Sequence, residues 1–199
     1  DRDGAVLSIL AREHRAYAPI EEIPVSLRRA FIAAEDRRFM DHSGVDVRGI
    51  ARAVIVNYRA GTIAQGGSTI TQQVAKSFLG NEQTLDRKLK EAILAVRLES
   101  LLSKDQILEI YLNKIFLGSG AYGVRAAAAR YFDKPLTELS TGERAMLAGL
   151  ARAPSRDHPR RSEERARRRR NIVLAAMAAE QFITPAELQT ARAEPITLA

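Results

Sequence analysis

The chain has 199 residues, 46% hydrophobic and 6% aromatic, which suits one domain, or one domain with an appendage, around a substantial core. It contains no cysteine, so disulfides, thiolate nucleophiles and cysteine-ligated metals are excluded. A formal net charge of +7 favours an anionic partner (nucleic acid, anionic lipid headgroups or a phosphorylated substrate), against the plainer reading of a solvated basic surface.

In chain order, the turn signal at 1–4 and the apolar run at 5–10 suggest a short strand or hairpin. Pro24 then precedes an amphipathic segment over 26–40. Further helices are expected at 46–58, 69–78, 84–102, 104–113, 123–131, 142–151, 162–180 and 185–193. Ser103 with Gln106, Ser140 with Glu143 and Thr184 with Glu187 have capping-box spacing, and Pro185 takes the favoured first helical position. The fold class is therefore mainly α, with minor β at the amino end. Gly61, Gly66 and Gly67 make 59–68 the most irregular stretch, where backbone can approach a ligand. A second break, between Pro154 and Pro159, reads as a hinge before a carboxy-terminal appendage. No stretch approaches the roughly 18–20 apolar residues that span a bilayer, and 172–179 is far too short. With no visible signal peptide and an opening at Asp1, the chain reads as a piece of a longer protein.

Two glutamates stand out by register. Glu35 lies four residues after Phe31 and eight after Leu27, on their apolar stripe. A carboxylate at a core edge is desolvated and becomes a better base; the alternative is a helix-edge glutamate paired with Arg28 or Arg38. Glu91 follows Arg87 and Lys88 by four and three residues, so a surface ion pair explains it equally well. Arg48, Arg52 and Arg59 fall along one face of their helix, opposite Val47, Ile50 and Val54. Ser68, Gln72 and Lys76 are spaced by four, with Thr69 and Gln73 beside them. A Gly-Gly turn entering a helix there offers N–H groups to a phosphate, with Lys76 behind them, or is an ordinary cap with a solvated face. It is not a P-loop, because the lysine and hydroxyl come in the wrong order. His14, His42 and His158 lack metal-ligand spacing, and His42 reads as structural. The basic run at 165–170 suits nucleic acid, anionic lipid or a solvated helix face.

Taken together, these segments resemble a known family. Glu35-Asp36-Arg37-Arg38-Phe39 through His42 and Gly44, then Gly66-Gly67-Ser68-Thr69-Ile70-Thr71-Gln72-Gln73, are similar to the first two signature motifs of the family 51 peptidoglycan glycosyltransferases. Arg87-Lys88 with Glu91 looks like the third, Ile107-Leu108-Glu109 with Tyr111-Leu112-Asn113 the fourth, and Glu143 through Leu147-Ala148-Gly149 to Pro154 the fifth. All five occur in order over 35–154, which makes the resemblance very specific. One departure is the extra glycine in Gly118-Ser119-Gly120-Ala121-Tyr122-Gly123, expected to loosen that loop.

The resemblance implies a mainly α, lysozyme-like fold with a large helical lobe and a small, membrane-facing jaw lobe. It implies a glycosyltransferase domain over 1–160 and a helical extension over 161–199, leading to a transpeptidase domain as in class A penicillin-binding proteins. The implied reaction joins the 4-hydroxyl of acceptor lipid II to the anomeric carbon of a lipid-linked glycan, with inversion and loss of undecaprenyl pyrophosphate. Glu35 would be the general base and Glu91 a second essential carboxylate, acting by orientation and electrostatics. Asp36, Arg52, Ser68, Thr69, Gln72, Gln73, Lys76, Arg87, Lys88 and Asn113 would bind substrate. No cofactor is demanded, although a divalent cation (Mg2+ or Mn2+) could assist at the pyrophosphate. Implied partners are lipid II, the growing glycan, the membrane surface and a phosphoglycolipid inhibitor of the moenomycin type, with no nucleic acid. The implied location is the outer side of the bacterial inner membrane. A lysozyme-like hydrolase shares the fold and catalytic glutamate but does not need Arg52 and Lys76. A nucleic-acid module built on 165–170 would not need Glu35.

Overall fold

Interactions spanning three or four residues set most of the helices. Thr69, Ser103, Ser140 and Thr184 each accept the backbone N–H of the third helical residue, while Gln72, Gln106, Glu143 and Glu187 reach back to the cap. The box at Thr69 joins the three that the spacing predicts. The computed structural model describes residues 14–61, 66–79 and 84–199, so the strand or hairpin expected at 1–10 lies outside the described residues. The helices among them are α1 (Val25–Glu35), α2 (Val47–Ala60), α3 (Ile70–Lys76), α4 (Leu85–Leu101), α5 (Lys104–Lys114), α6 (Val124–Phe132), α7 (Thr141–Leu150), α8 (Glu163–Ala179) and α9 (Pro185–Ala193). Every predicted helix is present, with ends within two residues except in α1.

That exception has a tertiary cause. The helix expected to reach Met40 stops at Glu35, because Asp36 takes an extended φ of −156° and turns its carboxylate inward to two partners described below. The minor β is a two-residue parallel pairing of β1 (His14–Arg15) with β2 (Ala121–Tyr122). The glycine-rich loop before β2 is a tight turn rather than a loosened one. Gly118, Ser119 and Gly120 all have positive φ, and Ser119 Oγ lies 2.7 Å from His158 Nε2.

The core lies among α1, α5, α6, α7 and α8. Leu27, Phe31, Ile107, Leu108, Leu112, Tyr131 and Leu147 are buried there, with Phe31 edge-to-face on Tyr111 at 6.1 Å. α3 packs on α4 and α5 to one side. α2 is different: of its described side chains only Ala53 is buried, and Val47, Val54 and Tyr58 lie exposed.

The segment after Pro159, expected as an appendage, packs on this same body. α8 runs along α7 and α1 and buries Val173, Leu174, Ala176 and Met177. The basic run on it divides: Arg167 and Arg168 pair with Glu163 and Glu164 one turn earlier, while Arg169 and Arg170 point inward. Buried Arg170 donates to the carbonyls of Arg192 and Glu194 at 2.9 and 2.7 Å, satisfying the exposed end of α9.

Candidate active site

Glu35 closes α1 on the stripe that takes Leu27 and Phe31 into the core. Gln73 of α3 donates from Nε2 to Glu35 Oε2 at 3.0 Å, and the Arg169 guanidinium of α8 lies 3.8 Å from Oε1. Burial pushes the Glu35 carboxyl above its ordinary pKa. The Gln73 hydrogen bond and the charges of Arg169 and Arg152 oppose that rise, and neighbouring Asp36 adds to it. The surface partners allowed by spacing are engaged elsewhere: Arg38 with Asp46 at 2.6 Å, and Arg28 with the Ile23 carbonyl and Asp105.

Asp36 and His42 weld the first motif to the second. Asp36 is buried and accepts the His42 Nε2–H at 2.9 Å and the Ile70 N–H at 3.0 Å. The Gly44 N–H donates to His42 Nδ1 at 3.2 Å, so Nδ1 is the acceptor and Nε2 the donor. Thr69 Oγ1 in turn donates to the Gly44 carbonyl at 2.6 Å. His42 thus has the structural role expected of it.

Glu91 stands on α4, only 1% exposed, with Arg87 at 3.3 Å and Lys88 in ion-pair contact. The ion pair that spacing allowed does form, but around an interior carboxylate. Lys88 also donates to Ser68 Oγ at 3.0 Å. The Arg87 Nε–H is buried without a hydrogen-bond partner among the described residues, an energetically costly state.

These groups share one cavity of about 730 Å³. Ten of the twelve residues singled out by sequence line it: Glu35, Asp36, Arg52, Ser68, Thr69, Gln73, Lys76, Arg87, Lys88 and Glu91. Thr69 does so while its side chain is committed to capping α3. Two do not line it. Gln72 is buried in the capping box with Thr69. Asn113 spends its amide on the N–H and carbonyl of Ala18 and the carbonyl of Glu109, bracing the amino-terminal segment against α5.

Sequence reasoning missed Arg152 and Arg169, both in the cavity wall. Arg169 had a readable signal. It falls in the helical register of Ala166, Val173 and Ala176, the logic that picked out Glu35 from its apolar stripe. Among the described residues no group of three or more His, Asp and Glu side chains is placed to hold a metal ion. Both Glu91 oxygens face cations, so this carboxylate is poorly disposed to ligate one.

The geometry agrees with the company the sequence keeps. The sequence model of the family described as transglycosylase matches residues 3–178. Penicillin-binding protein 1A of Aquifex aeolicus (strain VF5) is 50% identical over 199 residues, all of this chain and 27% of that protein. Penicillin-binding protein 1A of Escherichia coli (strain K12) is 48% identical over 195 residues, 98% of this chain and 23% of that protein. The crystal structure of penicillin-binding protein 1A from Haemophilus influenzae superposes with a TM-score of 0.59 at 28% identity, covering 99% of this chain and 20% of that one. The chain thus spans about a quarter of the length of the curated relatives it matches. A family match across most of the chain, a shared helical fold and a buried carboxylate facing a cationic cavity agree: the chain belongs to the transglycosylase family, as a peptidoglycan glycosyltransferase.

Proposed function

We propose that this domain polymerises lipid II into β-1,4 glycan, with Glu35 as the base that takes the proton of the acceptor 4-hydroxyl. The oxygen so freed bonds to the anomeric carbon of the donor as the bond to its pyrophosphate breaks, and configuration inverts. The observation that carries this reading is a desolvated carboxyl and a cluster of cations in one cavity. A neutral sugar hydroxyl needs the first, and a departing pyrophosphate needs the second. Arg52, Lys76, Arg87 and Lys88 supply that positive charge.

Glu91 positions the cations. Held between Arg87 and Lys88, it fixes both where the pyrophosphate leaves and keeps their repulsion from driving them apart. A Mg2+ or Mn2+ ion, where one takes part, would bring further charge to the pyrophosphate oxygens. Glu91→Gln is expected to cut polymerisation at least tenfold, through kcat more than KM. Steady-state rates on lipid II read the split, and unchanged kinetics would remove Glu91 from this role.

No helix among the described residues is long and apolar enough to cross a membrane. The exposed Val47, Val54 and Tyr58 with Arg48 and Arg52 give α2 the composition of an interfacial surface. We place this face of α2 against the outer leaflet of the bacterial inner membrane, where lipid II enters sideways, and where a moenomycin-type phosphoglycolipid would compete for the cavity. In the parent chain the segment from 161 onward would lead to a transpeptidase domain.

The test supplies purified protein with fluorescent lipid II in detergent and, separately, with purified cell wall. Long glycan from the first and no soluble sugar from the second is the expected result. Soluble sugar without polymer would mean a hydrolase.

A further inference from the structure

The fifth motif and the basic run meet at one point. On α7, Gly149 faces α8, and a Cβ built there would lie 3.0 Å from Cγ of Arg169. The missing side chain is a notch through which the arginine stem crosses. Beyond the notch, Arg169 Nε–H donates to the Gly149 carbonyl at 3.2 Å, and Nη2 reaches 3.8 Å from Glu35 Oε1. Both side chains of this ion pair are only 12% exposed. At 3.8 Å the guanidinium acts on the carboxylate by charge without donating a hydrogen bond to it.

We infer that Arg169, seated by the notch at Gly149, is a positioning residue that holds the Glu35 carboxylate in its charged, proton-accepting form. This rests on the reading of Glu35 as the base. The chemistry needs such a partner. A carboxyl buried without compensating charge takes up a proton and ceases to be a base near neutral pH. Among the described residues the groups that act on Glu35 are Asp36 just past α1, Gln73 from α3, Tyr111 from α5, Arg152 after α7 and Arg169 from α8. Burial and Asp36 favour the protonated acid, while Gln73, Arg169 and Arg152 favour the carboxylate. Arg169 itself faces Glu35, Arg152, Arg156 and Asp157. Burial pushes the Arg169 guanidinium below its ordinary pKa, and the charge of Glu35 opposes that fall.

The test is the pH dependence of lipid II polymerisation by wild type, Arg169→Met, Arg169→Lys and Gly149→Ala, with Glu35→Gln alongside. Removing the charge should move the acid limb of Arg169→Met to higher pH by about one unit. Arg169→Lys keeps the charge and should restore the limb toward wild type. Gly149→Ala pushes the arginine stem aside and should move the limb the same way by less. A limb that coincides with wild type in Arg169→Met, whatever the maximal rate, overturns the inference. So does a lysine variant displaced as far as the methionine. Should Glu35→Gln polymerise like wild type, the base assignment fails and takes this inference with it. An inactive Glu35→Gln beside an unmoved limb defeats the inference about Arg169 alone.

Discussion

Replacing Glu35 by Gln is expected to slow glycan polymerisation by about 10²–10⁴-fold while leaving the fold intact. The amide keeps the size and shape of the side chain and can still meet the Gln73 amide, but it accepts no proton. Fold stability follows from the direction of the pKa shift. Burial raises the folded-state pKa of Glu35, so folding favours its protonated form. That contribution to stability is fully present below the unfolded value and is lost as pH rises through the folded one. At neutral pH the wild type therefore bears a cost that the neutral amide does not, and Glu35→Gln should melt no lower than wild type. Wild-type activity runs the other way, falling as pH drops through the raised pKa and the base takes up a proton. Initial rates on lipid II across pH, with melting curves at neutral pH, check both statements. A variant that polymerises within tenfold of wild type would strip Glu35 of its role.

Replacing Gly44 by Ala is expected to destabilise the domain by roughly 3–5 kcal/mol. Two effects combine. Gly44 has φ +96°, a conformation strained for any side chain. A Cβ there would also stand 2.7 and 2.8 Å from the carbonyl carbon and oxygen of Ala95 and 2.9 Å from the Val96 nitrogen. These are backbone atoms of α4 and cannot swing aside as a flexible side chain would. To relieve the clash the first motif must move off α4, and the Thr69 hydrogen bond to the Gly44 carbonyl and the Gly44 N–H to His42 go with it. Asp36, the cap of α3 and the Glu91 helix are all tied to this point, so activity should fall along with stability. Chemical denaturation measures the loss; a midpoint within about 1 kcal/mol of wild type would refute the account.

Local order was legible in the chain because it rests on neighbours in sequence. Helical periodicity and caps at Ser103, Ser140 and Thr184 depend on residues three or four apart, and each formed as the spacing predicts. The same periodicity put Glu35 on the stripe of Leu27 and Phe31, at the core edge, where its side chain is only 12% exposed. With the motif resemblance, ten of twelve site residues came to one cavity.

What only the tertiary structure decided involves partners far apart in the chain. The early end of α1 depends on Asp36 finding His42 and the N–H of Ile70. Gln72 and Asn113 carry side chains suited to sugars, yet nearby backbone groups claim them first, as a cap and as a brace on Ala18. Arg169 looked like one more charge in a basic run. It is drawn inward because α7 lacks a side chain at Gly149 and Glu35 waits beyond it. A local pattern records what each residue can do within a turn of helix. Which opposite charge will compensate a buried one is settled only when distant segments pack and exclude water, because desolvation makes an unpaired charge costly there.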